Sequence, residues 1–346
     1  MTSVTLRKLA IPLILSLVPA GALRAQEDRY RTRPSDFRYG APPGRPLRVR
    51  TSDTGIRIRG YVAGRVRTYT AGAAGLDGGE LVVGSEYGRV EIAESDDDQV
   101  RLQVRWEAFG EGAAHPGEAA RRAIEETAVR VHMTAHQGRL MVRVWHPTLG
   151  FTVPGAQPAW FGVRLQVPAR GAYRVSVEAF HGIVAIRRLT LSRGAIRGRA
   201  GEKLKGIGGY IGGTELYDVT LAGDVDIANP TTPHGAPITA RVRVASTCRL
   251  TASTAGDINI AVQPDPVLGV RAWAGANNGP ARVAIDRGVK RDGVAGTFRN
   301  QEQVESAGYD RKPIRLEVRA ASEHGKVNVA SIPAAPLPED QPAAAP

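Results

Sequence analysis

The sequence predicts an all-β fold of stacked strand-and-turn units, a β-solenoid or β-roll, and three observations predict it. A short phrase recurs: a polar residue or two, a glycine, then an alternating apolar strand. It is built around Gly55, Gly88, Gly182, Gly223, Gly256 and Gly325. Strands dominate with period-2 alternation, which sends one set of side chains inward and the other into water. Only one stretch has a clear helical period. A phrase reused this often reads as a repeat architecture in which neighbouring units share a continuous core. Glycine at each corner is expected to supply positive φ at little cost, so the chain turns sharply before each strand.

Residues 1–25 read as an export signal. Arg7 and Lys8 precede the apolar Leu9–Val18, and small residues follow. Cleavage fits after Ala22 and after Ala25; the second, leaving Gln26 first, is preferred. The apolar run is shorter than the roughly 20 residues that cross a bilayer, so no integral membrane anchor is expected. The mature protein is expected to be soluble, in the periplasm or outside the cell. Residues 26–46 are rich in Pro, Gly and charge without periodicity and read as a flexible lead-in. The β-repeat domain is expected over 47–331, and 332–346 form an extended Pro/Ala-rich tail.

Within the domain, strands are expected at Leu47–Arg50, Ile56–Arg59, Val62–Tyr69, Leu81–Val83, Val90–Ala93 and Val100–Trp106. Asp96-Asp97-Asp98 lacks the spaced ligands of a calcium loop and reads as a polar hairpin turn. Gly117–Val131 is the expected helix, with Ala120, Ala123, Ile124, Ala128 and Val131 on one face. His132 and His136 have a metal-chelating helical spacing, but Val129-Arg-Val-His-Met133 alternates, so a strand is expected to have begun there. Strands resume at Leu140–Val144, Phe161–Val167 and Tyr173–Glu178. The turn phrase is then densest to Val262. Gly182, Gly223 and Gly256 lie 41 and 33 residues apart, an interval that would hold about two turns of roughly 20 residues each. The glycines at 206, 208, 209, 212 and 213 have no Lys-Ser/Thr and no helix after them, so tight corners explain them better than a phosphate loop. Pro264–Gly308 loosens into Gly, Asn and charge, and Ile314–Arg319 with Lys326–Val329 is expected to close the fold.

The chain carries a formal charge of +12, of which Arg7, Lys8 and Arg24 belong to the signal. Such basicity points to anionic partners. Export, the absence of a dense Lys/Arg block and the sparse aromatics argue against nucleic acid. Cys248 is the only cysteine, so no intrachain disulfide forms, and its strand setting reads as a small buried residue. No cofactor or metal signature is present.

The opening Gly88–Ile92 with Asp97–Val104, a helix and the strand at Leu140 form one distinctive stretch. The strand, Val167-Pro168-x-x-Gly171 turn and strand form a second, and the Gly-Asp-Val/Ile units at Gly223 and Gly256 a third. Together they resemble the bacterial putative-adhesin family of β-strand repeat proteins, a domain of unknown function. The resemblance implies a right-handed β-solenoid or β-roll in the cell envelope and carries over no catalytic residue. The chain departs from it in the Gly-rich 203–213 and in the 69 residues from Gly256 to Gly325.

A stack of strands offers evenly spaced outward side chains, suited to extended polymers or partner surfaces. The first expectation is therefore a non-catalytic, adhesin-like envelope protein that binds or scaffolds anionic envelope glycans or another envelope protein. Its contact candidates are Arg187, Arg188, Arg193, Arg197, Arg241 and Arg243. The alternative is a polysaccharide lyase or hydrolase using Asp224, Asp226 and Asp257, of which Asp224 and Asp257 would line up if their units are neighbours. The competing reading of those aspartates is corner capping. A third expectation is a structural or sensory component that pairs by an uncapped strand edge.

Overall fold

The computed structural model describes residues 45–46, 50–59 and 62–331, apart from 74–75, 77–78, 86–87, 111–113, 127–128, 137, 146–154, 180–181, 199–211, 230–235 and 291–297. The signal, nearly all of the lead-in, the tail and most of the Gly-rich 203–213 lie outside the described residues.

The strands in chain order begin with β1 (Arg45–Pro46), β2 (Arg50–Arg59), β3 (Val62–Gly72), β4 (Glu80–Ser85), β5 (Arg89–Ser95) and β6 (Gln99–Gly110). Helix α1 (Pro116–Glu126) follows, then β7 (Arg130–His136), β8 (Arg139–Trp145), β9 (Ala156–Pro168), β10 (Tyr173–Ala179), β11 (Ile183–Arg187) and β12 (Thr190–Gly198). Next come β13 (Gly213–Leu221), β14 (Val225–Asn229), β15 (Ile238–Val244), β16 (Cys248–Thr254), β17 (Ile258–Val262) and β18 (Leu268–Ala276). The last are β19 (Ala281–Ala284), β20 (Gly288–Lys290), β21 (Asn300–Ser306), β22 (Ile314–Ser322) and β23 (Val327–Ser331). The fold is nearly all β, and its strands join into one large mixed sheet.

Two parallel ladders dominate the pairing. The first runs β8–β4–β10–β12–β14–β16–β22–β18. The second runs β9–β5–β11–β13–β15–β17–β23–β19. The chain alternates between them, so each first-ladder strand and the second-ladder strand after it make one rung. Period-2 side chains explain the arrangement. In β10 the buried residues are Tyr173, Val175, Val177 and Ala179, and in β17 they are Ile258, Ile260 and Val262. Inward residues of both ladders belong to one apolar cluster. Each fully buried Val, Leu or Ile contributes about 1.5–3 kcal/mol, so the shared core stabilises the stack without disulfides.

Both ends carry antiparallel strands. At one end β7 pairs β8 and β1 pairs β7, while β6, β3 and β2 continue from β9. At the other, β21 pairs β18 and β20 pairs β21. Helix α1 buries Ala119, Ala120, Ala123 and Ile124 and packs on β3 and β6. It ends at Glu126 rather than continuing to Val131. Val131 is a strand residue opposite Val144, because the β-branched alternation around it serves pairing with β8 better than a helix.

Several expectations about order need correction. Asp96–Asp98 is no hairpin turn: β9 lies between β5 and β6, so the acidic loop crosses over it. Each glycine interval holds three strands, β11 to β13 between Gly182 and Gly223 and β14 to β16 between Gly223 and Gly256, so successive glycines precede strands of opposite ladders. The pair β22/β23 does not close the stack. It lies between β16/β17 and β18/β19, so the long Gly256–Gly325 interval is an outward excursion and return. The stretch from 264 to 308, read as loosened, contains β18 to β21.

The corner glycines also have a different cause from the one expected. Among the six, Gly88 alone has positive φ, at 77°. Gly182, Gly223 and Gly325 are required by close stacking instead. A β-carbon on Gly223 would lie 1.9 Å from the Ser192 carbonyl oxygen, and one on Gly325 would lie 2.3 Å from the Gly256 carbonyl carbon. Gly55 is not a corner at all. It lies inside β2, where the register with β3 slips between Thr54 and Arg57, a bulge that glycine accommodates.

Inside one row of corners runs a column of small and polar strand-end residues: Ser85, Ala179, Gly198, Asn229, Thr254, Ser322 and Ala276. Asn229 Oδ1 accepts from the Gly198 N–H at 3.0 Å and the Thr214 hydroxyl at 2.9 Å, and its Nδ2 donates to the carbonyls of Ala236 and Pro237. Thr254 donates to Ala236 O and Ser322 donates to Gly256 O. These buried polar groups are satisfied by the corner backbones they meet, which keeps their burial affordable in free-energy terms.

Candidate functional site

The surfaces available for binding are the outer faces of the two ladders, pointing away from the shared core. Parallel register sets their spacing, since neighbouring strands lie about 4.8 Å apart. On the first ladder one row starts at Arg139 of β8, passes Glu80 of β4 and reaches Arg174 of β10 and Arg193 of β12. It continues with Asp224 just ahead of β14, Arg249 of β16, Glu317 of β22, Arg271 of β18 and Glu305 of β21. Ion pairs join Arg139 to Glu80 at 3.2 Å, Arg249 to Glu317 at 3.1 Å and Arg271 to Glu305 at 2.6 Å. Opposite charges on adjacent strands support the pairing.

On the second ladder the charges gather around Glu91 of β5. Arg164, Arg89 and Arg187 approach it at 3.4, 3.8 and 3.8 Å, and Arg89 also pairs with Glu215 at 2.5 Å. Arg187 stacks over the Tyr217 ring at 4.7 Å. Burial, and then the Glu215 charge, push the Tyr217 phenol up from its ordinary value. Farther along, Asn259 of β17 lies beside Asn328 of β23, whose other register partner is the exposed Arg282 of β19.

The six arginines expected as contacts are divided between these faces. Arg193 and Arg197 lie on β12 in the first ladder, and Arg187, Arg241 and Arg243 on β11 and β15 in the second. Arg188 sits at the corner between β11 and β12 with φ of 53° and is exposed. Arg197 is bound to Asp226 at 2.6 Å and Arg241 to Asp218 at 3.2 Å, whereas Arg193 and Arg243 are exposed.

The aspartates of the catalytic alternative are not brought together. Asp224 lies at a corner leading from the second ladder to the first, and Asp257 at one leading from the first to the second, so they do not line up. Both do the same backbone work. Asp224 Oδ1 accepts from the Arg249 N–H at 2.8 Å, and Asp257 Oδ1 accepts from the Lys326 N–H at 2.8 Å, in each case one rung onward. This is corner capping. His132 and His136 lie on strand β7. Cys248 is buried; burial, and secondarily the Asp224 charge, push its thiol up to about 12.

Arg139, Glu80, Arg174, Arg249, Glu317 and Arg271 were not singled out by sequence reasoning. Their shared row depends on register and on the displaced order of end rungs, which no local pattern reports.

No protein-family model matches the chain, and no curated protein matches it. Among solved structures it is similar to a crystal structure of a putative cell adhesion protein from Clostridium sporogenes, at TM-score 0.37 and 10% identity. The match covers 82% of this chain and 100% of that one. A likeness that distant carries no argument about function. Among the described residues no helix is long and apolar enough to cross a membrane, and no group of three or more His, Cys, Asp or Glu is placed to hold a metal ion.

Proposed function

We propose that the chain is an exported, non-catalytic β-solenoid or β-roll of the cell envelope that binds extended anionic glycans along its outer faces, an adhesin-like role. The observation that carries this reading is the row of charged side chains on the first ladder, repeated strand by strand and rich in arginine. An extended polymer laid across such a row meets it at every strand, and its anionic groups find unneutralised charge where two arginines, Arg174 and Arg193, are neighbours. The basic formal charge, +9 once Arg7, Lys8 and Arg24 are removed with the signal, adds long-range attraction. The catalytic alternative loses support because Asp224 and Asp257 are engaged with backbone N–H groups at separate corners.

The test is binding of residues 26–346 to immobilised polygalacturonate, dextran sulfate and lipopolysaccharide across a salt series. Retention that falls steadily with salt supports the reading, because screening weakens contacts between exposed charges. No retention at low salt overturns it.

A further inference from the structure

Along the outer row of the first ladder the charges alternate in sign at every step but one. Arg139 faces Glu80, Glu80 faces Arg174, Asp224 precedes Arg249, and Arg249, Glu317, Arg271 and Glu305 follow in turn. The exception is Arg174 beside Arg193, register partners on the adjacent strands β10 and β12. Like charges directly opposite one another on neighbouring strands destabilise a sheet. The protein nevertheless builds this contact with a local device. The register slips between Tyr173↔Leu191 and Arg174↔Arg193, so that Ser192 is the extra residue and Arg193, rather than Ser192, stands next to Arg174. The Ser192 hydroxyl donates to Ala172 O at 3.3 Å and fixes the bulge from the partner strand. Bulges of this kind re-aim side chains at functional places.

The carboxylates on either side are engaged elsewhere. Glu80 accepts from Arg139 at 3.2 Å, and Asp224 caps the Arg249 N–H. Arg174 and Arg193 are both exposed, and among the described residues neither has a carboxylate within ion-pair distance. Arg174 and Arg193 stand side by side on neighbouring strands, about 4.8 Å apart at the backbone, so their long side chains can turn onto a single anion, which would relieve their mutual repulsion.

We propose that the Arg174–Arg193 pair is the anion-binding subsite of this face, taking one carboxylate or sulfate group of an acidic glycan laid across the first ladder. The proposal rests on the glycan-binding reading above and narrows it to one place. The flanking alternating pairs then act as neutral walls that neither attract nor repel the polymer strongly.

The experiment measures affinity of the mature chain for polygalacturonate and for dextran sulfate, with uncharged dextran as the blank, for wild type, R174Q/R193Q and R121Q/R122Q. The last removes two exposed arginines of α1 and the same net charge. Comparison of the two polymers tells a carboxylate ligand from a sulfate ligand. The expected result is a loss of about tenfold or more for R174Q/R193Q, with R121Q/R122Q within about twofold of wild type. Equal losses in the two variants overturn the subsite and leave general polyanion binding standing. A wild type that binds neither polymer overturns both the subsite and the glycan-binding reading. Thermal unfolding of each variant confirms that the fold is intact.

Discussion

Gly182 stacks on Gly88 so closely that a β-carbon on Gly182 would lie 1.6 Å from the Gly88 carbonyl oxygen. The obstacle is backbone, which cannot rotate aside as a side chain can. We therefore expect G182A to destabilise the protein by about 3 kcal/mol, at the upper end of overpacking costs. G72A is the matched control, since nothing lies within 4 Å of a β-carbon there, and it should change stability by no more than about 0.5 kcal/mol. Denaturant melts of the two variants check this, and equal stability would show that the corners are not held by close stacking.

Asn229 joins three successive stretches of chain through a fully used amide, accepting from Gly198 and Thr214 and donating to Ala236 and Pro237. Alanine would leave buried donors and acceptors without partners, at about 1–3 kcal/mol for each group left unsatisfied. N229A should lose about 3 kcal/mol, well above what removal of an exposed amide such as that of Asn259 costs. Paired urea titrations of N229A and N259A report the difference.

These two positions also show what was legible in the sequence and what was not. The recurrence of Gly before an alternating strand identified the corners and the all-β class, because the side-chain period and the glycine requirement are local. Its cause was misread at Gly182, where the demand comes from a corner one rung away rather than from the residue's own φ. Asn229 went unnoticed because a polar residue ending an apolar strand looks like the start of a loop. Its burial depends on the neighbouring corners closing over it. The strands β18 to β21 were hidden for a similar reason. In β21 only Val304 and Glu305 are buried, so alternation is absent, and what makes it a strand is the edge of β18 that it covers. Of the expected contact arginines, Arg193 emerged as exposed beside a partner, Arg174, that only the bulged register could reveal.

Stability should fall on acidification through the carboxylates of the outer rows. Burial alone would raise Glu317, but the hydrogen bond from Arg319 and the charges of Arg319 and Arg249 outweigh it and hold it below the ordinary 4.5. A carboxyl lowered on folding contributes stability that is present above the unfolded value and is lost as pH falls through the folded one. The contribution is thus complete near neutrality and is lost progressively as pH falls below the ordinary 4.5. E317Q should lower the melting temperature at pH 7 and flatten its decline between about pH 5 and pH 3. An unchanged slope in E317Q would assign the acid limb to other groups.

The thiol of Cys248 should be inert while the protein is folded. Burial pushes it up to about 12, so almost none is thiolate at pH 8, and the side chain sits under the first ladder's surface. Maleimide or aromatic disulfide reagents should label it at least about 100-fold more slowly in native buffer than in denaturant. Rapid native labelling would place the sulfur in a reactive, accessible setting.

The far end of the second ladder is protected by one side chain. Among the described residues β19 is the terminal strand there and no further strand faces the Val283 N–H, which donates instead to Glu302 of β21 at 2.7 Å. Glu302 is held in place by Lys290 at 2.6 Å. Burial raises this carboxyl, and the Lys290 contact and the Val283 N–H together bring it below its ordinary value, so it remains charged at neutral pH. An exposed strand edge with an unpaired N–H invites pairing with another chain, and a charge at the edge opposes it. E302A removes both the acceptor and the charge. It should therefore promote concentration-dependent self-association, seen as a rise in weight-average mass by light scattering, while E94A, on β5 away from the ends, should not. A monodisperse E302A at every concentration would mean that β21 alone is enough to cover the end of the stack.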